Sequence, residues 1–219
     1  RAAVLGANDG LVSNLSLVMG VAGAAMAARS ILITGLAGLL AGAGSMALGE
    51  WLSVKSSREL YEHQIATEEA ELIAAPEEEK EELALIYQSR GLDEARALDL
   101  AEQMMSNHET ALDTLAREEL GINPEELGGS AWEAAITSFF LFAVGAIIPV
   151  IPYFFTSGMD AVAWSVGFST IGLFAIGSAI TLFTGRPVIL SGGRQVVFGL
   201  TAAALVYGIG RLVGVSLGG

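Results

Sequence analysis

Asp9, Met46 and Glu50 stand in stretches of chain too apolar to hold charge cheaply. A carboxylate at the centre of a membrane helix costs about 2.5–3.5 kcal/mol on insertion scales, so an acid there points to a binding task. Met46 and Glu50 are four residues apart and share one helix face. Counting equal steps back from a hairpin tip at Arg29 and Ser30 sets Asp9 level with Glu50, and Ser13 level with Met46. Two carboxylates, a hydroxyl and a thioether at similar depth suit a divalent cation. The oxygens favour hard or borderline ions, and the sulfur favours transition metals over magnesium or calcium. Two plainer readings stay open: Glu50 snorkels to the interface, and Met46 fills space.

A second set of acids lies in 55–130, which holds 20 Asp and Glu against 6 Lys and Arg, while the remainder holds 4 against 5. The formal net charge of −13 therefore belongs to this one segment. At about 100° per residue, Tyr61, Ile65 and Leu72 form one apolar stripe, with Glu68 inside it. Leu83, Ile86 and Tyr87 form another containing Glu79, and Leu112, Leu115 and Ala116 a third containing Glu119. An inward carboxylate must be neutralised by a proton, a base or a metal. Glu71 and Glu82 fall at the stripe edges and can complete a coordination set, although phase does not separate Glu71 from Glu69. Glu77, Glu81 and Glu118 point away. The competing reading makes all of them ordinary solvated charges. His63 and His108 lack the Glu-x-x-His spacing of a ferritin-type di-iron site.

The elements that position these residues are helical. A spanning helix needs roughly 20 apolar residues, and five stretches qualify: 5–28, 31–54, 132–155, 159–184 and 194–217. Pro149 and Pro152 should kink or end the third. The expected fold is all-α, with five spans and a helical acidic insert between spans two and three. Its segments are 1–54, 55–130 and 131–219. Within the insert, 55–74 continues span two, a second helix runs from Pro76 to Arg90 and stops at Gly91, a third starts near Asp93, and Ser106-x-x-Glu109 reads as a capping box opening a fourth to Leu120. Small residues recur along span two at Ala37, Ala41, Ser45 and Gly49, beside Gly38 and Gly42, and permit close helix contact within the chain or in a homodimer. The absence of cysteine excludes disulfides and thiolate metal sites. The acidity argues against nucleic acid as a partner. The first residue is Arg1 rather than Met, so a missing N-terminal part is expected.

Several of these residues also resemble a family. Gly6-x-x-Asp9-Gly10-Leu11, Gly44-Ser45-Met46-x-Leu48-Gly49-x-x-Leu52-x-x-Lys55-Ser56, Pro76, Glu119-Leu120-Gly121 and Gly145-x-x-x-Pro149-x-x-Pro152-Tyr153 are similar, in order and over nearly the whole chain, to the vacuolar iron transporter family. The resemblance implies five spans, a homodimer, a cytosolic metal-binding domain, and movement of ferrous iron, sometimes manganese, out of the cytosol in exchange for protons. It places the translocation aspartate on Asp9 and the pore methionine on Met46. The metal-binding glutamates fall on Glu68, Glu71, Glu79, Glu82 and Glu119. The chain departs from plant members at Gly38, where they carry a glutamate, at Glu50, where they carry a small residue, and at Leu115 and Ala116, where they carry methionines.

Two other functions stay in view: a membrane-anchored metal buffer or sensor, and a transporter of another solute. No Gly-x-x-x-x-Gly-Lys loop or nucleophile constellation suggests an enzyme. Lys and Arg at span ends set orientation. With the N-terminus in the cytosol, Arg1, Lys55, Arg58, Arg186 and Arg194 are all inside, and only Arg29 lies in an outer loop. The chain is then a multi-pass protein of a bacterial inner membrane or a vacuolar membrane, its insert cytosolic and its C-terminus on the far side. Residue 157 should be reached only from that far side. Labelling of a Ser157→Cys variant by an impermeant reagent checks this, and reaction confined to the cytosolic side would overturn the orientation.

Overall fold

The computed structural model describes residues 2–123 and 129–217; Arg1, counted above among the inner charges, lies outside them. All regular elements among the described residues are helical. In order they are α1 (Ala2–Gly23), α2 (Ala28–Ala74), α3 (Pro76–Ser89), α4 (Glu94–Met104), α5 (His108–Glu118), α6 (Ala131–Ile147), a 3-10 turn (Ile151–Phe154), α7 (Gly158–Thr184) and α8 (Val188–Leu217). They form two compact units, Arg1–Trp51 with Trp132–Gly219, and Leu52–Ala131.

The first unit is built around α1. Leu11, Leu15 and Val18 are fully buried and cluster with Val150, Ala161, Leu173 and Ala203. Neighbouring backbones come very close to α1 at two places. A Cβ on Gly10 would overlap the carbonyl of Phe142, and one on Gly145 would overlap that of Ala7. Farther along, Gly23 meets the Tyr207 carbonyl and Gly210 meets that of Gly20. Small residues are what allow such packing, since lipid offers no hydrophobic drive between helices. Large side chains point outward instead: Phe155, Leu182 and Ile189 are almost wholly exposed, as suits a surface facing hydrocarbon.

Among the described residues, four helices, α1, α2, α7 and α8, are long and apolar enough to cross a membrane, whereas α6 is a shorter apolar helix of 17 residues. The stretch expected as a third span, 132–155, is thus not one continuous helix. Pro149 and Pro152 lack the amide donors a helix would need, and the chain turns into the 3-10 segment there. The Ser165 hydroxyl donates to the Pro149 carbonyl at 2.7 Å, satisfying an acceptor at the break.

Other boundaries also differ from expectation. The first hairpin turns at Ala24–Ala27, with Ala25 at φ 57°, so Arg29 lies in the first turn of α2 and not at the tip. The last helix begins at Val188 rather than 194. Gly192 and Gly193, read as a loop, lie inside it. Gly192 is there because the Phe174 ring of α7 occupies the space a side chain would need.

The second unit packs the end of α2 with α3, α4 and α5 around Leu72, Leu83, Ala84, Tyr87, Ala97, Ala101, Ala111 and Leu115. Pro76 opens α3, as expected. Asp93 caps α4, accepting from the Arg96 amide at 3.1 Å. The expected capping box at Ser106 is absent. Asn107 caps α5 instead, accepting from the Glu109 amide at 2.9 Å, while Ser106 donates back to the Gln103 carbonyl. Asn is as good a cap as Ser and sits one residue nearer the helix. α5 ends at Glu118, not Leu120.

Gly145→Val should destroy the packing of α1 against α6, because its side chain would need the space of the Ala7 backbone. Size-exclusion profiles and thermal unfolding in detergent check this. Gly167→Ala, whose new methyl meets nothing, should behave as the parent.

Candidate functional site

The glutamates of the second unit are brought together by three different helices. Glu68 lies on α2 one turn before Leu72, and Glu79 on α3 one turn before Leu83, so burying each leucine carries the neighbouring carboxylate inward. Glu68 is 3% exposed and Glu79 6%. The third comes from a helix end: Gly121, at φ +66°, ends the turn after α5, and the Glu119 amide donates to the Leu115 carbonyl at 2.9 Å. Glu119 is exposed, yet one oxygen from each of the three carboxylates lies within 4.8 Å of the other two. Oxygen ligands at about 2.1 Å around one ion stand roughly 3.0–4.2 Å apart, so a small inward movement of side chains would close the set.

Electrostatics mark this as a strained cluster. Burial, then repulsion from Glu119 and Glu79, pushes the Glu68 carboxyl up to about 7. Glu79 and Glu119 are raised as well, each by burial first, then chiefly by Glu82 for the former and Glu79 for the latter. Glu68 and Glu79 lie close enough for their carboxyls to act on one another, and Oε1 of Glu68 is buried without a partner. An oxygen in that state asks for a proton or a cation.

Glu71 and Glu82 are exposed at the edge of the cluster, near enough that Glu71 raises all three members and Glu82 raises Glu79 and Glu119. Glu69, which helical phase left level with Glu71, faces His108 at 3.7 Å instead. Glu77 pairs with Lys80, and Glu118 with Arg90. Neither acid is in the cluster.

A separate set lines an open cavity of about 370 Å³ in the first unit. Asp9, Ser13 and Asn14 of α1 face Gly38, Gly42, Ser45 and Met46 of α2, with Phe142 of α6 beside them. Ser13 donates to the Asp9 backbone carbonyl at 2.6 Å, which leaves the Asp9 carboxylate free of that hydroxyl. The Met46 thioether lies against α1, where a methyl on Gly6 would touch its terminal carbon at 3.3 Å. Glu50 is half-buried and is not among the residues lining this cavity. The residue that sequence reasoning passed over is Asn14. It is an uncharged polar side chain inside an apolar run, a weaker signal than an acid but a legible one.

A sequence profile described as the VIT family matches residues 1–211. The chain belongs to the VIT family. Among its relatives, a protein named vacuolar iron transporter from Acanthamoeba castellanii is 38% identical over 218 residues, covering 97% of this chain and 77% of the relative. Vacuolar iron transporter 1 of Oryza sativa subsp. japonica is 31% identical over 214 residues, covering 97% and 84%. Vacuolar iron transporter homolog 1 of the same plant is 35% identical over 215 residues, covering 98% and 73%. The resemblance noted from motifs is therefore membership. Like its relatives' names, the four long apolar helices make this VIT-family chain a membrane protein.

The raised carboxyls fix the sign of the cluster's pH response. An acid whose folded pKa lies above its ordinary value binds protons more readily in the folded state, so stability falls as pH rises from 4.5 through about 7. Without metal, hydrogen exchange in α3 and α5 should quicken over that window, and Glu68→Gln should flatten the response. Divalent transition ions should slow exchange again above pH 7 and bind more weakly as pH falls. Glu68→Gln with Glu79→Gln should weaken binding far more than Glu77→Gln with Glu81→Gln. Equal losses by calorimetry would return these residues to solvated charges.

Proposed function

We propose that this chain carries divalent iron, and manganese as a second cargo, out of the cytosol by exchange for protons. The observation that carries the reading is the cavity in which Asp9, the sole acid of α1, meets Met46 and Ser13 among otherwise apolar helices. A divalent ion leaving water needs anionic oxygen to replace its hydration, and Asp9 supplies it. The Met46 sulfur adds preference for a transition metal. One carboxylate that holds either the metal or a proton, never both, couples the two flows by competition. The names of the relatives supply the choice of iron.

In this reading Glu68, Glu79 and Glu119, with Glu71 and Glu82 at the edge, bind the same ions in a cytosolic acidic domain over 55–130. The membrane part, 1–54 and 131–219, crosses five times, with α6 and the 3-10 turn after it making the third passage and the C-terminus outside. Assembly as a homodimer is supported by Ala37, Ala41, Ser45 and Gly49, which repeat every fourth residue along α2 and are all exposed in the single chain. A metal buffer would account for the glutamate cluster alone. It would leave Asp9 in the apolar unit without a task, which is why transport is preferred.

Asp9→Asn keeps the shape of the side chain while removing the charge and the proton site. Initial metal uptake into proteoliposomes with an imposed pH gradient should fall to background, with the fold intact by thermal unfolding. Met46→Leu should lower flux more mildly and alter metal preference. Glu50→Gln, outside the cavity lining, should do little. Wild-type flux through Asp9→Asn would end the proposal, whatever the acidic domain binds.

A further inference from the structure

Asn14 is 2% exposed and lies on α1 one turn beyond Gly10. Its Nδ2 donates to the Gly35 carbonyl of α2 at 3.1 Å and to the Ala146 carbonyl of α6 at 2.6 Å. Two acceptors on one nitrogen settle which way the amide faces, because an oxygen in that place would confront two carbonyls. The opposite end of the amide, Oδ1, is buried and has no partner. It lies over Gly38: a Cβ there would stand 2.7 Å from Oδ1. Asn14 and Gly38 both line the cavity that holds Asp9, Ser13 and Met46. One side chain therefore ties three helices through its nitrogen and holds an unpartnered carbonyl oxygen against Gly38, a residue of the cavity lining. A single added carbon at residue 38 would collide with it.

An amide oxygen is a good ligand for a hard or borderline divalent cation. An acceptor left without a donor in apolar surroundings is costly, and a partly dehydrated cation offsets that cost as no apolar neighbour can. A neutral oxygen also differs from Asp9 in a useful way: it takes no proton across the physiological range, so it stays a ligand when the carboxylate is protonated.

We propose that Oδ1 of Asn14 is a ligand for the divalent cation on its path, a fixed neutral oxygen acting with the Asp9 carboxylate and the Met46 sulfur. This rests on the reading of the cavity as the translocation path. The test uses the full chain in proteoliposomes, with Mn(II) and Cd(II) as probe ions. Gly38→Ala sets a Cβ 2.7 Å from Oδ1 and nearer still to the end of Leu17, closer than either can stay, so it displaces the oxygen from its present place. It should raise the KM for Mn(II) by roughly tenfold, read on protein that size exclusion and thermal unfolding show to be folded. Preference should shift toward Cd(II), since losing an oxygen gives the thioether more weight. Asn14→Leu, measured in the same way, reaches the oxygen by a second route should Gly38→Ala fail to fold. Folded variants with the parental KM and Mn/Cd ratio would overturn the assignment and leave the oxygen to water. If Asp9→Asn transports normally in the same vesicles, the path itself has been misplaced, which is a different failure.

Discussion

Close approach of α1 to its neighbours is the constraint from which the membrane unit follows. At Gly10 and Gly145 the backbones of α1 and α6 touch with no side chain between them, and at Gly20, Gly23 and Gly210 those of α1 and α8 do the same. A helix held this tightly cannot rotate without clashing, so its polar residues are fixed in direction. Asp9, Ser13 and Asn14 then face the cavity shared with α2, and Leu11, Leu15 and Val18 face the core. The Asn14 amide and the hydrogen bond between Gln195 and Asn8 add polar ties from α1 to α2, α6 and α8. Such ties hold well where no water competes for them.

The acidic unit answers to the opposite constraint. Its core is small and rich in alanine, and it buries two carboxylates where leucines would stabilise it more. Such a domain trades stability for an unmet demand for positive charge. The burial of Glu68 and Glu79 comes from ordinary helix packing at Leu72 and Leu83, whereas Glu119 is delivered by a helix end. Two of the carboxylates are buried, and the third stands exposed at the end of α5.

Much of this was legible in the residues because the signals were periodic or costly. Glu68 and Glu79 broke apolar stripes and are buried. Glu119 broke one too, but it sits at the end of α5 on an exposed turn, so phase alone overstated its burial. The acid in α1 was conspicuous by its price in lipid, whereas Asn14 carries no charge and its orphaned oxygen is visible only once Gly35 and Ala146 are in place. Glycine misled in one place. Gly192 and Gly193 read as a loop because glycine both breaks helices and lets them pack, and only the position of Phe174 decides between these. Ser106 reads as a cap because a Glu stands three residues later, but Asn107 is a cap of equal kind and is the one that α5 uses. The level of Glu50 with Asp9 depends on a hairpin tip at Arg29 and Ser30. The turn lies earlier, at Ala24–Ala27, and that shifts the pairing of depths along the two helices.

The proline break after α6 bears on the lipid as well as on the chain. A helix of 17 residues is about 26 Å long, a few ångströms short of the roughly 30 Å hydrocarbon layer. α7 and α8, with 27 and 30 residues, exceed that thickness and can tilt or extend beyond it. In the proposed five-span reading the 3-10 turn has to complete that passage, and the match to the lipid is poorer there than at the long helices. In that reading acyl-chain length becomes a variable of the protein's working environment: thinner bilayers would suit the passage through α6 while leaving α7 and α8 longer still than the hydrocarbon layer.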